Sequence, residues 1–182
     1  MEIVKTSIEG LIIIQPKVFE DERGYFMESY KDSFIKENFP DIHFIQDNES
    51  KSSYGVLRGL HFQKPPFEQT KLVRVIQGEV LDIAVDLRSD SKTFGKHETI
   101  ILSGNNKKQF LIPKGFAHGF IVLSDNAIFS YKVDNVYDPN SDSGVYFADK
   151  NLNIDWKVKN QEIKVSTKDK NLQHFKDLKT PF

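Results

Sequence analysis

The stretch Lys71-Leu-Val-Arg-Val-Ile-Gln-Gly-Glu-Val-Leu-Asp-Ile-Ala-Val-Asp-Leu-Arg88 decides the fold class. From Leu81 onward, Leu81, Ile83, Val85 and Leu87 alternate with Asp82, Ala84, Asp86 and Arg88. A period of two marks a strand with one face buried. Lys71 to Ile76 is equally rich in β-formers, and Gln77-Gly78-Glu79 reads as a tight turn, so residues 71–88 are expected to form a hairpin. Working outward, strand patterns occur at 11–14, 24–30, 43–48, 56–62, 97–102, 109–112, 119–123 and 127–133. Turn clusters separate them, including Ser89-Asp90-Ser91, Ser103-Gly104-Asn105-Asn106 and Ser124-Asp125-Asn126. Helical patterns are confined to 31–38 and 168–176, and 140–159 is polar and irregular, suited to wrapping an edge. Many short strands at this spacing predict an all-β sandwich or barrel.

The chain has 182 residues, enough for one domain and too few for two. Its net charge of −1 offers no basic footprint for nucleic acid. The absence of cysteine excludes disulfides and thiolate metal sites. Neither a signal-like N-terminus nor an apolar run long enough to span a bilayer is visible, so a cytoplasmic protein is expected. Arginine occurs only at Arg23, Arg58, Arg74 and Arg88 among 25 basic residues. With lysine covering ordinary surface charge, a retained arginine is a candidate for its planar fork of donors.

Three stretches carry candidate chemistry. Gly55-Val-Leu-Arg-Gly-Leu-His-Phe-Gln63 sets Arg58 and His61 in a strand-like apolar segment. Strict alternation turns them to opposite faces, unless Gly59 marks a bulge or close backbone approach. Ile112-Pro-Lys-Gly-Phe-Ala-His-Gly-Phe120 places His118 between small neighbours that leave room for a ligand. A hydrogen-bonded core histidine reads equally well at either place. In Tyr131-Lys-Val-Asp-Asn-Val-Tyr-Asp-Pro139, Tyr131 and Tyr137 share parity, so one continuous strand aims both at one face. The histidines at 43, 61, 97, 118 and 174 show no metal-ligand spacing, and neither a phosphate-cradling glycine loop nor a nucleophile elbow is present. No metal and no cofactor are expected.

Taken in order, several motifs resemble the dTDP-4-dehydrorhamnose 3,5-epimerase family. They are Asp21-Glu-Arg-Gly-Tyr-Phe26, Phe44-Ile-Gln-Asp-Asn48, Val56-Leu-Arg-Gly-Leu-His-Phe-Gln63, Lys71, Gly78-x-Val-Leu-Asp-x-x-Val-Asp-Leu-Arg88, Pro113-x-Gly-Phe-Ala-His-Gly-Phe120, Tyr131-Lys132 and Ile154-Asp-Trp156. The resemblance runs from about Val18 to Asp169 and implies a cupin-type jelly roll, and residues 1–182 are expected to form one unit. It implies epimerisation beside the ketone of a nucleotide-linked 4-keto sugar, without a cofactor. On that resemblance His61 is the general base, Asp169 its carboxylate, Tyr131 the opposite-face acid and Lys71 the cation at the enolate oxygen. Arg23, Arg58 and His118 correspond to ligands of the pyrophosphate and sugar. Phe26, Glu28, Gln46, Asn48, Tyr137 and Asp142 match positions around base and ribose. A homodimer in which an N-terminal strand joins the partner is also implied. The segment after Tyr131 and the choice of Asp142 depart from the family pattern, leaving open a GDP-linked heptose substrate, epimerisation at C3 alone, or ketoisomerisation. A non-catalytic sugar-binding jelly roll is the reading from a different class.

Overall fold

The computed structural model describes residues 1–182. Its strands are β1 (Glu2–Lys5), β2 (Ile12–Gln15), β3 (Val18–Asp21), β4 (Gly24–Met27), β5 (Gln46–Ser53), β6 (Leu57–Gln63), β7 (Lys71–Gln77), β8 (Glu79–Asp86), β9 (His97–Ser103), β10 (Gln109–Ile112), β11 (Phe116–Val122), β12 (Asn126–Val133) and β13 (Asp142–Gly144). Helix α1 (Asp32–Asn38) lies between β4 and β5, and α2 (Thr167–Lys170) follows β13. Six strands form one sheet in the order β1-β2-β10-β7-β12-β5, and five form another in the order β13-β6-β11-β8-β9. The ribbon β3-β4 stands apart. This is the expected jelly-roll architecture, with only short helices.

The 71–88 hairpin does not form. β7 pairs with β10 and β12 in the larger sheet, whereas β8 pairs with β11 and β9 in the smaller one. The turn at Gly78 is therefore a corner where the chain changes sheets. Gly78 has φ +80°, and a Cβ there would lie 2.1 Å from the carbonyl oxygen of Asn126. Local sequence marks a reversal but cannot say which strands pair across it.

The half-buried strand is also revised, because β8 is buried on both faces. Val80 and Ala84 pack between the sheets with Val73, Val75, Phe110, Phe120 and Phe129. Leu81, Ile83 and Val85 face away, under Val145, Leu152 and Trp156 from the segment after β13. Further cover comes from Ile163, Val165, Phe175, Leu178 and Phe182. This C-terminal strap explains why the irregular 140–159 stretch retains large apolar residues; truncating one such buried aromatic typically costs about 3–5 kcal/mol. The polar face of β8 points inward, where burial of a charge requires a partner. Asp86 accepts from Arg88 Nε and Nη2, Ser91 Oγ and Thr93 Oγ1 at 2.6–2.9 Å.

The predicted helix over 168–176 breaks into α2 and a 3-10 turn at Phe175–Asp177, since Ser166 caps Asp169 N–H but the helix stops after Lys170. The 24–30 strand ends at Met27, and the 43–48 strand begins only at Gln46 and runs on to Ser53. Helix α1 buries Ile35 against Ile14, Leu72 and Leu111 on the outer face of the larger sheet.

Candidate active site

The chemistry of the fold converges where β6 and β11 of the smaller sheet face β7 and β12 of the larger. Alternation fails on β6 at one point. His118 of β11 stands opposite His61 and Phe120 opposite Arg58, so two residues, Gly59 and Leu60, oppose the single Gly119. This bulge restores Arg58 and His61 to one side. Leu57, Leu60 and Phe62 turn outward beneath the strap. Gly59 has φ +142°, and a Cβ on it would lie 2.6 Å from Gly119 Cα. Gly119, beside His118, thus serves a close crossing of two backbones.

The result is a cavity of about 680 Å³ lined by His61, Arg58, Lys71, His118, Tyr131 and Asp169 among others. Asn48 lines it too, and Gln46 Nε2 donates to Asn48 Oδ1 at 2.8 Å. Phe120 and Phe129 stack at 4.1 Å to form an apolar part of the wall. His61 enters from the smaller sheet and Tyr131 from the larger, so they approach the cavity from opposite walls.

His61 Nε2 lies 2.8 Å from Asp169 Oδ1. A carboxylate only accepts, so Nε2 carries the hydrogen and Nδ1 is left as the basic atom. Burial pushes the Asp169 carboxyl up, but His61, the Gly59 N–H and Ser166 together outweigh it and hold the net value below the ordinary range. Asp169 therefore stays ionised beside its histidine. Burial raises the Tyr131 phenol, with Arg58 opposing, which keeps the hydroxyl protonated. Burial lowers the Lys71 ammonium to about 8, against the pull of Asp82 and Asp142. Arg58 is oriented by Ser52 Oγ, 3.2 Å from Nε and 3.1 Å from Nη2.

Other expected residues lie elsewhere. β12 ends at Val133, so Tyr137 does not share a strand face with Tyr131; it is 59% exposed and donates to Asp142. Asp142 pairs with Lys168, which does line the cavity. Arg23 and Phe26 project from the β3-β4 ribbon, and Glu28 pairs with Lys31 beyond it; none lines the cavity within one chain. Two features escaped the sequence reading: Lys164 and Lys168 on the strap line the cavity, and buried Asp82 bonds His118. Asp82 was visible as a charged position on a face that the fold encloses.

A base backed by a carboxylate, an acid on the facing wall and a cation lining the same cavity can remove a proton from one side of a ligand and return one to the other. No three His, Asp or Glu side chains converge as a metal-binding group, and no helix is long and apolar enough to cross a membrane.

The chain resembles known proteins over nearly its whole length. The family model described as dTDP-4-dehydrorhamnose 3,5-epimerase matches residues 5–177. The enzyme of that name from Shigella flexneri is 51% identical over 178 residues, covering 97% of each chain. The crystal structure of dTDP-4-dehydrorhamnose 3,5-epimerase from Elizabethkingia anophelis superposes with a TM-score of 0.93 at 53% identity, covering 99% of this chain and 98% of that one. The Legionella pneumophila dTDP-6-deoxy-D-glucose-3,5-epimerase, solved in complex with dTDP-4-keto-L-rhamnose, gives 0.91 at 48% identity over 95% and 92%.

Proposed function

This chain belongs to the dTDP-4-dehydrorhamnose 3,5-epimerase family, and from that premise we propose that it inverts the two carbons flanking the ketone of a dTDP-linked 4-keto-6-deoxyhexose. One observation carries the reading: the His61–Asp169 pair and Tyr131 occupy opposite walls of a single cavity.

A hydrogen beside a ketone is acidic because its loss gives an enolate. His61 Nδ1 takes the proton, and Asp169 stabilises the imidazolium that forms. Negative charge gathers on the C4 oxygen, where the Lys71 ammonium offsets it; one preorganised donor of this kind contributes about 3–4 kcal/mol. Tyr131 delivers a proton to the opposite face, which inverts the centre. Proton exchange with solvent returns His61 to its neutral form and Tyr131 to its phenol, and repetition at the second carbon then completes the reaction with no net gain or loss of protons. Arg58 and His118 contact the sugar and pyrophosphate, and Asn48 and Gln46 the nucleoside end.

Arg23, Phe26, Glu28, Tyr137 and Asp142 complete the nucleotide site in a homodimer. The ribbon exposes Phe19, Tyr25 and Phe26 at 52%, 53% and 66%. Phe19 and Phe26, paired across the ribbon with ring centroids 6.5 Å apart, form an exposed aromatic patch of the kind that marks an interaction surface, and a two-fold pair is the commonest assembly. The ribbon of one subunit then supplies Arg23 and Phe26 to the other's cavity, and residues 1–182 act as one unit. A doubly charged sugar nucleotide does not cross a bilayer unaided, so the reading includes a cytoplasmic address.

Proton NMR in heavy water tests it. The dTDP-4-keto sugar is expected to gain deuterium at C3 and C5 with formation of the epimer. Deuterium at C3 alone, or exchange only with a GDP-linked heptose, overturns the assignment. Light scattering is expected to show a dimer at micromolar concentration.

A further inference from the structure

Asp82 has no part in the reaction just described, yet it is fully buried on the inward face of β8. Its two oxygens both lie 3.0 Å from Nε2 of His118. No other side chain or backbone N–H donates to them. Burial pushes the Asp82 carboxyl up, with His118 and Lys71 opposing; as a carboxylate it only accepts, so Nε2 carries the hydrogen and the neutral ring has a lone pair at Nδ1. Burial disfavours the imidazolium, with Asp82 opposing and Lys71 and His61 reinforcing, so the ring is held toward its neutral form.

His118 Nδ1 has no protein partner, and it is not sealed away. Glu68 Oε2 is the one side-chain polar atom of the chain that is both buried and unpartnered, and His118 lines the cavity. The titratable groups sharing this region are Lys71 from β7, His61 and Arg58 from β6, Glu49 from β5, Tyr131 from β12, Lys164, Lys168 and Asp169 from the strap, and Glu68, which lies with Lys71 and His118 at the far end. Lys71 and Arg58 only donate, and the proposed reaction uses the His61 lone pair for chemistry. A free acceptor among donors matches a hydroxyl.

We propose that Asp82 is a positioning residue that fixes His118 as its Nε2–H tautomer, so that Nδ1 accepts a hydrogen bond from a ring hydroxyl of the keto sugar. The inference rests on the reading of the cavity as a keto-sugar site. It makes the hydroxyl a specificity element: a deoxy analogue leaves a buried acceptor unpaired, the situation in which hydrogen-bonding sites discriminate most strongly. In Asp82→Asn the amide can present its NH₂ to Nε2, which moves the hydrogen to Nδ1 and turns an acceptor into a donor.

Nitrogen-15 NMR of histidine-labelled protein at pH 7, assigned with His118→Gln, reads the tautomer without substrate. The wild type is expected to show His118 with a protonated Nε2 and an unprotonated Nδ1. Asp82→Asn is expected to reverse or mix that pattern and to lower kcat/KM by about 10- to 100-fold, with partial recovery in Asp82→Glu. A protonated Nδ1 in the wild type overturns the proposal, and this measurement decides the matter even where Asp82→Asn does not fold. An unchanged spectrum and unchanged kcat/KM in folded Asp82→Asn also overturns it. Absence of any turnover in the wild type fails the keto-sugar reading instead, while the spectrum of the free protein still reports the tautomer.

Discussion

Nε2 of His61 and Oδ1 of Asp169 stand 2.8 Å apart, although 108 residues of sequence separate them. Groups that act as one unit give strongly non-additive losses when removed. His61→Asn is expected to lower kcat/KM by about 10²- to 10⁴-fold. Asp169→Asn is expected to fall within the same range, because an amide can leave the hydrogen on the wrong ring nitrogen. The double variant should be hardly worse than His61→Asn. Multiplicative losses in a steady-state comparison would refute the pairing.

Tyr131→Phe separates removal of a proton from its return. The base is untouched, so deuterium should still wash into C3 from heavy water. Net inversion should drop by about 100-fold or more, since the facing wall has lost its acid. Parallel loss of exchange and inversion would show that the phenol serves some other purpose.

Lys71 sets an alkaline limit. Burial brings its ammonium to about 8 from 10.5, so the charge that meets the enolate is present below about pH 8 and lost above it. kcat/KM should decline through that point, and Lys71→Arg should move the decline upward. The linkage to stability has the opposite sign. Between about 8 and 10.5 the unfolded chain binds the proton that the folded chain has released, so the Lys71 contribution to stability rises with pH. A thermal midpoint falling in step with activity across pH 7–9 would assign the limb to unfolding instead.

Asp86 sets an acid limit. Burial opposes its ionisation, but bonds from Arg88, Ser91 and Thr93 hold its carboxyl at about 2 against an unfolded value of 3.8. A depressed carboxylate stabilises above the unfolded pKa and loses that contribution as pH falls through the folded one. The amount is on the order of 2 kcal/mol. Urea midpoints should show Asp86→Asn weakened at pH 7, with the gap to wild type shrinking between pH 4 and pH 2. A constant gap would contradict the linkage.

Gly59→Ala tests the bulge. The added Cβ would meet Gly119 Cα at 2.6 Å in a region of positive φ, a strain of about 1–3 kcal/mol. Relief by a register slip would return Arg58 and His61 to opposite faces. The expected outcome is lower stability together with loss of exchange activity. Full activity in a destabilised protein would show that the bulge is not what aligns the two side chains.

Much of this arrangement is legible in the sequence wherever the signal is local. The alternation of β8 is plain, and the strand content follows from it. What period two cannot reveal is the environment of each face. The apolar side of β8 lies beneath the strap, and its charged side lies inside the barrel, where Asp82 finds its partner on β11 and Asp86 its partners in the turn that follows the strand. The corner at Gly78 fails for the same reason, since a turn fixes direction but strand pairing is settled by distant residues. Gly59 was readable as a possible bulge, but only its pairing with Gly119 shows that parity flips there. Arg23 and Phe26 carry a motif whose geometry one chain does not complete.

The strap that covers the smaller sheet also holds Asp169, and this joins two matters usually kept apart. During synthesis, His61 leaves the ribosome long before its carboxylate exists. A barrel that closes early has a cavity but an untuned base, and its outer leucines are still bare. Docking of the strap buries those leucines and delivers the carboxylate in one event. Chemical competence thus becomes a signal of finished assembly, and a nick anywhere along the strap should silence the enzyme before it unravels the barrel.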